Sequence, residues 1–175
     1  MNGLDIDKLS AGVYQATITD TKGCQYTYTA IVHSPAPLVA EVITNPASCH
    51  DKADGNAILH FTGGTEPYTF IWEDASNDNP RWSMTPGHYP FKLIDAVQCT
   101  LIDTVFITAP APLSGSEMIT PPECEASNNA SVQIEAEGGT PPYHIVWEDG
   151  SLSFFRNMLA PAIYSYTLSD SHQCQ

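Results

Sequence analysis

Histidines and carboxylates are the side chains from which an acid/base or metal site could be built in this chain. The six histidines, at positions 33, 50, 60, 88, 144 and 172, lie in no HExxH motif, and no GxSxG, P-loop or glycine-rich dinucleotide motif occurs. Adjacent carboxylates occur at Glu73-Asp74 and at Glu148-Asp149, but neighbours on a strand face opposite ways and cannot act as one acid/base pair. We therefore expect no enzymatic activity and no cofactor, and we interpret both pairs as turns at the ends of strands.

One loop could offer oxygen ligands to a calcium ion. The segment from Cys49 to Gly55 contains Asp51 and Asp54, whose carboxylates suit calcium. Seventy-five residues later the matching positions are Ala126 and Asn129, so both charges are lost. Aspartate and glycine also favour turns through local hydrogen bonds. We interpret the segment as a turn and predict no metal site, with Asp51 and Asp54 as the calcium candidates.

The chain is built from a repeat of 75 residues. Two segments show the offset: GGTEPY at 63–68 returns as GGTPPY at 138–143, and PAPL at 35–38 returns at 110–113. A Pro-Ala-Pro segment is stiff and suits a short spacer between modules. We therefore predict that residues 1–38 are the end of a first block, residues 39–113 are a complete block, and residues 114–175 are most of a third block.

The five cysteines follow the same repeat, with two in each full block. In an exported chain this indicates a disulfide framework. Pairing within a block joins Cys49 to Cys99 and Cys124 to Cys174, and leaves Cys24 to a partner upstream; pairing across the boundary joins Cys24 to Cys49 and Cys99 to Cys124. We favour the first, because closing a loop of roughly 50 residues in a small core adds about 3 to 4 kcal/mol. The first and last turns of a seven-strand sandwich lie at opposite poles, so this pairing implies six strands or a first strand that crosses over.

Apolar and polar residues alternate with period two between the turns, which is typical of strands with one buried face. At 130–137, for example, the apolar residues are Ala130, Val132, Ile134 and Ala136. In the complete block we predict strands near 39–45, 56–62, 68–74, 80–84, 87–94 and 100–108. Six or seven short strands per block indicate an all-β fold of tandem immunoglobulin-like β-sandwich modules in an elongated array.

Aromatic residues recur where such a sandwich has its core. Trp72 and Trp147 lie on the third strand of their blocks, where immunoglobulin-like folds bury an aromatic side chain between the sheets. Tyr14, Tyr89 and Tyr164 follow a Gly- or Pro-containing turn, as in a tyrosine corner. We assign all five side chains to the structural core.

Charge excludes some partners. Six basic and twenty acidic residues give a formal net charge of -14, which repels phosphate backbones and anionic lipid headgroups. No apolar stretch approaches the roughly 20 residues that span a bilayer. We therefore expect no nucleic acid partner and no membrane insertion, and we interpret the scattered acidic residues as a solvated surface.

Several of these cues fall in one order within a block. They are a Cys before an Asp-Gly turn (Cys49, Asp54-Gly55), the GGTPPY segment at 138–143, the strand with Trp72 or Trp147, LSAGVY at 9–14 and TDTKGC at 19–24. In this order the sequence resembles the SprB repeat of Bacteroidota surface adhesins over its whole length. The resemblance implies a very long secreted cell-surface protein that is exported by type IX secretion, contacts polysaccharide or abiotic surfaces and takes part in gliding motility. Thr104, in Asp103-Thr104-Val105, also looks like the O-glycosylation sequence of that phylum.

From these observations we expect a stiff, non-enzymatic spacer or filament in an extracellular adhesin, whose partners are neighbouring repeats of the same chain. Strands of about eight residues give modules roughly 25 to 35 Å long. One alternative is that each module binds carbohydrate through exposed aromatics such as Trp82, Phe154 or Phe155. Another is that the chain is an accessory region of a secreted enzyme.

Overall fold

The computed structural model describes residues 6–124 and 127–175 and contains thirteen β-strands. They are β1 (Gly12–Thr19), β2 (Gln25–Val32), β3 (Val39–Asn45), β4 (Gly55–Thr62), β5 (Thr69–Trp72), β6 (Arg81–Met84), β7 (Gly87–Ile94), β8 (Thr100–Ile107), β9 (Ser114–Thr120), β10 (Ala130–Glu137), β11 (His144–Trp147), β12 (Phe155–Leu159) and β13 (Tyr166–Ser169). Over these ranges no helix is long and apolar enough to cross a membrane.

The complete block is a sandwich of two three-stranded antiparallel sheets. β4 lies between β3 and β6 in one sheet, and β7 lies between β5 and β8 in the other. The six predicted strands agree with the observed ones to within two residues at every end. The all-β prediction is confirmed, because turn residues and period-two alternation are local signals that each strand carries by itself.

The inner faces of the two sheets share one core. On β4, Ala57 and Leu59 are buried while the residues that follow them are more exposed. Side chains from the opposite sheet close on this face, namely Trp72, Phe91, Leu93, Val105 and Ile107. A Cβ atom on Gly55 would lie 2.6 Å from Ile107, so glycine lets the sheets approach there. Each large apolar side chain buried in this way contributes roughly 1.5 to 3 kcal/mol.

The third block repeats this arrangement as far as β13. β9, β10 and β12 form one sheet, and β11 pairs with β13 in the other. Its buried side chains, among them Ile134, Ile145 and Trp147, form a separate cluster from those of the complete block. β13 begins at Tyr166, later in the repeat than β7, and in the described ranges it pairs with β11 alone. In the complete block the first four residues of β7 pair only with β8. The described part of the third block has no counterpart of β8, so β13 lacks these residues and is shorter than β7.

The hairpin of β1 and β2 is the counterpart of the hairpin of β7 and β8, with the same register 75 residues earlier. Its apolar side chains are exposed: Ile18 is 64% exposed, whereas its counterpart Leu93 is 0% exposed. In the complete block the sheet of β3, β4 and β6 covers this face. The burial of the hairpin therefore depends on the second sheet of its block.

The three corner tyrosines make the same hydrogen bond. Tyr14, Tyr89 and Tyr164 each donate from the hydroxyl to the backbone carbonyl four residues earlier, at 2.7, 2.8 and 3.1 Å. All three side chains are only half-buried, and Tyr89 and Tyr164 pack against the edges of the two buried clusters. Their assignment to the core is corrected: they lie at its rim, because the hydroxyl must reach the turn before the strand.

Candidate functional site at the junction between blocks

The spacer that follows the complete block is bound to the third block. The N–H of Gly139 donates to the carbonyl of Ala111 at 2.8 Å, and Leu113 packs against the third-block core. A Cβ atom on Gly138 would lie 1.9 Å from the carbonyl oxygen of Pro112, and both glycines have φ in the left-handed region, at 72° and 55°. Only glycine satisfies both requirements. The spacer therefore lies on the surface of the third block and is not a free tether.

The preceding spacer makes the same contacts with the complete block. Gly64 donates its N–H to the carbonyl of Ala36 at 2.8 Å, and a Cβ atom on Gly63 would lie 1.8 Å from the carbonyl oxygen of Pro37. Leu38 packs against the core of the complete block, as Leu113 does in the third. The repeated Gly-Gly and Pro-Ala-Pro-Leu segments are thus two halves of one contact.

Residues 46–54 form the first turn of the complete block. They lie at the end of the block that faces the spacer leading to the third block. The N–H of Ala47 donates to the carbonyl of Thr108, just after β8, at 2.9 Å. The Asp54 carboxylate accepts the N–H of Ser48 at 2.8 Å and its hydroxyl at 2.5 Å. These bonds hold the pKa of Asp54 below its ordinary value, the Ser48 hydroxyl being the main cause. The turn presents Cys49, which is 2% exposed, toward the third block.

The last turn of the third block, after β13, is organised by a buried carboxylate. Asp170 is 0% exposed and accepts the N–H groups of Thr140, His172 and Cys174 at 2.7, 2.8 and 3.0 Å. Desolvation by itself raises the pKa of Asp170, but these backbone donors outweigh it and hold the pKa below its ordinary value. The same carboxylate joins the Gly-Gly turn to the turn that carries Cys174, because Thr140 follows Gly139 directly.

Sequence reasoning missed the role of this aspartate. Asp95 occupies the same position in the complete block and accepts three backbone N–H groups, and Asp20 accepts two in the first hairpin. The signal was the offset of 75 residues that relates Asp20, Asp95 and Asp170. A carboxylate that recurs before each turn cysteine indicates a turn that needs a strong acceptor.

A disulfide bond links the two blocks at this junction. Cys49 in the first turn of the complete block is bonded to Cys174 in the last turn of the third block, with Cα atoms 5.7 Å apart. Beside it, the Lys52 ammonium donates to the carbonyl of His172 at 3.5 Å. Both bonded cysteines are buried, at 2% and 9% exposure. The junction is therefore held by the spacer, by the packed turns and by a covalent bond.

This bond corrects the predicted pairing of Cys49 with Cys99 and of Cys124 with Cys174. The alternative pairing across the boundary is not found either, since Cys24, Cys99 and Cys124 are free and exposed. The reason is the length of the strands: Cys49 and Cys99 lie at opposite ends of strands of eight residues, about 25 Å apart, and a disulfide needs Cα atoms within about 7 Å. End-to-end stacking instead brings the first turn of one block against the last turn of the next.

The calcium candidates lie in the first turn but do not form a cation site. Both oxygens of Asp54 are engaged by Ser48, and Asp51 lies at the surface beside His50, 3.7 Å away. Among residues 6–124 and 127–175, no cluster of three or more His, Cys, Asp or Glu side chains has the arrangement to hold a metal ion. Ala126, the counterpart of Asp51, lies outside the described residues.

The other predicted residues lie away from the junction. Trp82 on β6 is 61% exposed and Phe155 on β12 is 49% exposed, while Phe154 is half-buried against the third-block core. Trp82 and Phe155 belong to different blocks, and their counterparts in the repeat are Asn157 and Pro80. Thr104 is half-buried on β8 and donates its N–H to Asp103 at 2.7 Å. The structure does not bring these residues together.

A second recurring cluster surrounds each buried tryptophan. Trp72 is 2% exposed and donates its indole N–H to the carbonyl of Asp78 at 3.0 Å, and the Arg81 guanidinium lies 5.1 Å from its ring. Arg81 also contacts Asp74 at 2.6 Å, and Asp74 accepts the hydroxyl of Ser76. Trp147, Arg156, Asp149 and Ser151 repeat these contacts in the third block. Arg81 and Arg156 cover the core and were not singled out from the sequence.

The carboxylates of this cluster predict acid sensitivity. Hydrogen bonds from Ser76 and then Arg81 lower the pKa of Asp74 to about 2 from an ordinary value of 3.8. Hydrogen bonds from Ser151 likewise hold the pKa of Asp149 below its ordinary value. A lowered pKa in the folded state contributes stability above the unfolded-state pKa, and this contribution is lost as pH falls through the folded-state value. We expect the thermal midpoint to fall between about pH 4 and about pH 2, measured by calorimetry. D74N should show a lower midpoint at neutral pH and a weaker pH dependence, and an equal slope for both proteins would contradict the assignment.

Comparison with known families agrees with this geometry. The SprB repeat model matches residues 41–77 and residues 116–152, two segments at the 75-residue offset. Each match runs from the first strand of a block, through the first-turn cysteine and the Gly-Gly turn, to the turn beyond the buried tryptophan. No curated protein matches the chain. Because both matches fall on equivalent strands and turns, the chain carries two copies of the SprB repeat.

Proposed function

We propose that this chain is a non-enzymatic stalk segment of a long cell-surface adhesin, in which consecutive SprB repeats are held end to end as a stiff spacer. The observation that carries the proposal is the junction closed by Cys49 and Cys174. A structural spacer needs restraint between its modules, and this junction supplies it at two separate points.

Two restraints act together on the orientation of the blocks. A single flexible connection would let one block swing about the spacer, as domains joined by a short linker do. The hydrogen bond from Gly139 to Ala111 fixes the spacer on the third block, and the bond from Ala47 to Thr108 fixes the first turn beside the end of β8. The disulfide then attaches that first turn to the last turn of the third block. Two attachments restrict bending at the junction more than one attachment does.

Charge and redox chemistry support an extracellular location. Disulfides persist in oxidising compartments, and the bond between Cys49 and Cys174 fits export from the cell. The net charge of -14 keeps a long protein soluble and disfavours contact with nucleic acid and anionic lipid. In this proposal the partners of the segment are neighbouring repeats, and contact with polysaccharide or an abiotic surface, including any role in gliding, belongs to the adhesin as a whole.

Removal of the disulfide should loosen the junction without unfolding the blocks. We expect C49S to keep the β-sheet circular dichroism of the unmodified protein while small-angle scattering shows a broader distribution of interblock distances. C99S is the matched control, because Cys99 is free and exposed. If the oxidised protein is a compact two-lobed particle, or if C49S scatters as the unmodified protein does, the stiff-spacer proposal fails.

A further inference from the structure

We propose that the bond between Cys49 and Cys174 is one rung of a periodic ladder, in which the first-turn cysteine of each block bonds the last-turn cysteine of the next block, 125 residues later. The partner of each exposed cysteine in this chain is then another SprB repeat. The inference rests on the proposed end-to-end array and adds how its repeats recognise and cross-link one another.

The last-turn cysteines are all presented by the same turn. The N–H of Cys174 donates to the Asp170 carboxylate at 3.0 Å, and the N–H of Cys99 donates to Asp95 at 2.7 Å. In both turns the aspartate N–H returns a bond to the cysteine carbonyl, at 3.1 and 3.0 Å. The turn of Cys24 has both bonds as well, at 2.8 and 2.9 Å. Cys24 and Cys99 are therefore held in the backbone geometry in which Cys174 is already bonded.

The turns that carry the first-turn cysteines share a closing hydrogen bond. Asp54 caps the first turn of the complete block by accepting the N–H of Ser48 at 2.8 Å. In the third block Asn129 takes the place of Asp54 and accepts the N–H of Glu123, the counterpart of Ser48, at 3.1 Å. The loss of the negative charge at this position removes a ligand suited to a cation but leaves the hydrogen bond in place. The hydrogen bond that closes the turn of Cys49 thus recurs at the turn of Cys124.

The direction in which the blocks are stacked determines which cysteines can pair. Cys124 lies in the turn type that faces a following block, and Cys24 and Cys99 lie in the turn type that faces a preceding block. The bonded cysteines are buried by the junction, at 2% and 9% exposure, whereas these three are exposed. A second SprB repeat stacked in sequence supplies both the complementary cysteine and the surface that buries it.

Each rung forms by thiol–disulfide exchange. The two cysteine thiols lose two protons and two electrons to an acceptor disulfide, of a small molecule or of an oxidoreductase, which is reduced to two thiols. Because a rung spans 125 residues and the repeat is 75, consecutive rungs overlap. A single backbone cleavage between Cys49 and Cys174 would leave the two fragments covalently joined. The ladder thereby makes the array resistant to one cut in any block.

Two lengthened chains test the ladder. In the first, a copy of residues 101–175 follows Gln175 and places a last-turn cysteine 125 residues after Cys124. In the second, a copy of residues 1–75 precedes Met1 and places a first-turn cysteine 125 residues before Cys99. Non-reducing peptide mapping should find Cys124 bonded to the copy of Cys174 in the first chain, and Cys99 bonded to the copy of Cys49 in the second. Iodoacetamide should label Cys124 and Cys99 in the original chain and lose at least about 90% of that labelling where the new partner is present.

The outcomes separate the ladder from the stalk. If Cys124 stays fully labelled in the first lengthened chain and Cys99 stays fully labelled in the second, or if either bonds to any other cysteine, the ladder is refuted. Small-angle scattering on the same proteins measures the shape of the array. An elongated particle whose cysteines stay labelled refutes the ladder but supports the stalk proposal. A compact particle refutes the stalk proposal. C49S placed in the first lengthened chain should leave the new bond at Cys124 in place, because each rung has its own pair of turns.

Discussion

Replacement of Trp72 with alanine should destabilise the complete block by about 3 to 5 kcal/mol, a large part of the stability of a domain of this size. The indole is 2% exposed and lies between Phe70 and Phe91, with ring centroids 5.1 and 5.8 Å away. Its removal leaves a cavity between the sheets, leaves the carbonyl of Asp78 without its donor and removes the surface on which Arg81 rests. Urea unfolding followed by circular dichroism measures the loss.

W82A is the matched control in the same block. Trp82 is 61% exposed, and its truncation should change the free energy of unfolding by no more than about 0.5 kcal/mol. W147A should instead destabilise the third block and leave the transition of the complete block in place, because the two buried clusters share no residue. Equal stability of W72A and W82A would contradict the placement of Trp72 in the core.

Replacement of Asp95 with alanine should lower the thermal midpoint of the complete block by about 10 °C. The carboxylate is 2% exposed and accepts the backbone N–H groups of Thr65, Val97 and Cys99 at 3.0, 3.0 and 2.7 Å. Alanine leaves these three donors without their acceptor. The two turns that Asp95 joins then lose their connection, so amide hydrogen exchange at all three residues should accelerate.

Two further variants serve as comparisons for this prediction. D103A removes an exposed carboxylate of β8 and should shift the midpoint by no more than about 2 °C. D95N keeps one acceptor oxygen and should fall between D95A and the unmodified protein. If D95A unfolds at the same temperature as D103A, the buried carboxylate does not organise the turn.

Much of the fold was readable from the sequence, because its signals are local. β3 and β7 begin and end at the predicted residues, since alternation and turn residues act within a few positions of the chain. The repeat added a second, independent signal, which located the Gly-Gly turn and the Pro-Ala-Pro spacer. The same offset contained Asp95, Asp170, Arg81 and Arg156, whose roles became apparent only when their partners were seen in space.

The residues alone predicted a chain of repeated, disulfide-capable β blocks, with a buried tryptophan in the second and third blocks and a stiff spacer between them. The tertiary structure decided that Cys49 reaches Cys174 across a junction and that the corner tyrosines stop at the rim of the core. The physical reason is that strand patterns depend on neighbours in sequence, whereas a disulfide depends on which poles of two blocks meet. That contact is set by stacking over 125 residues, and no local pattern encodes it.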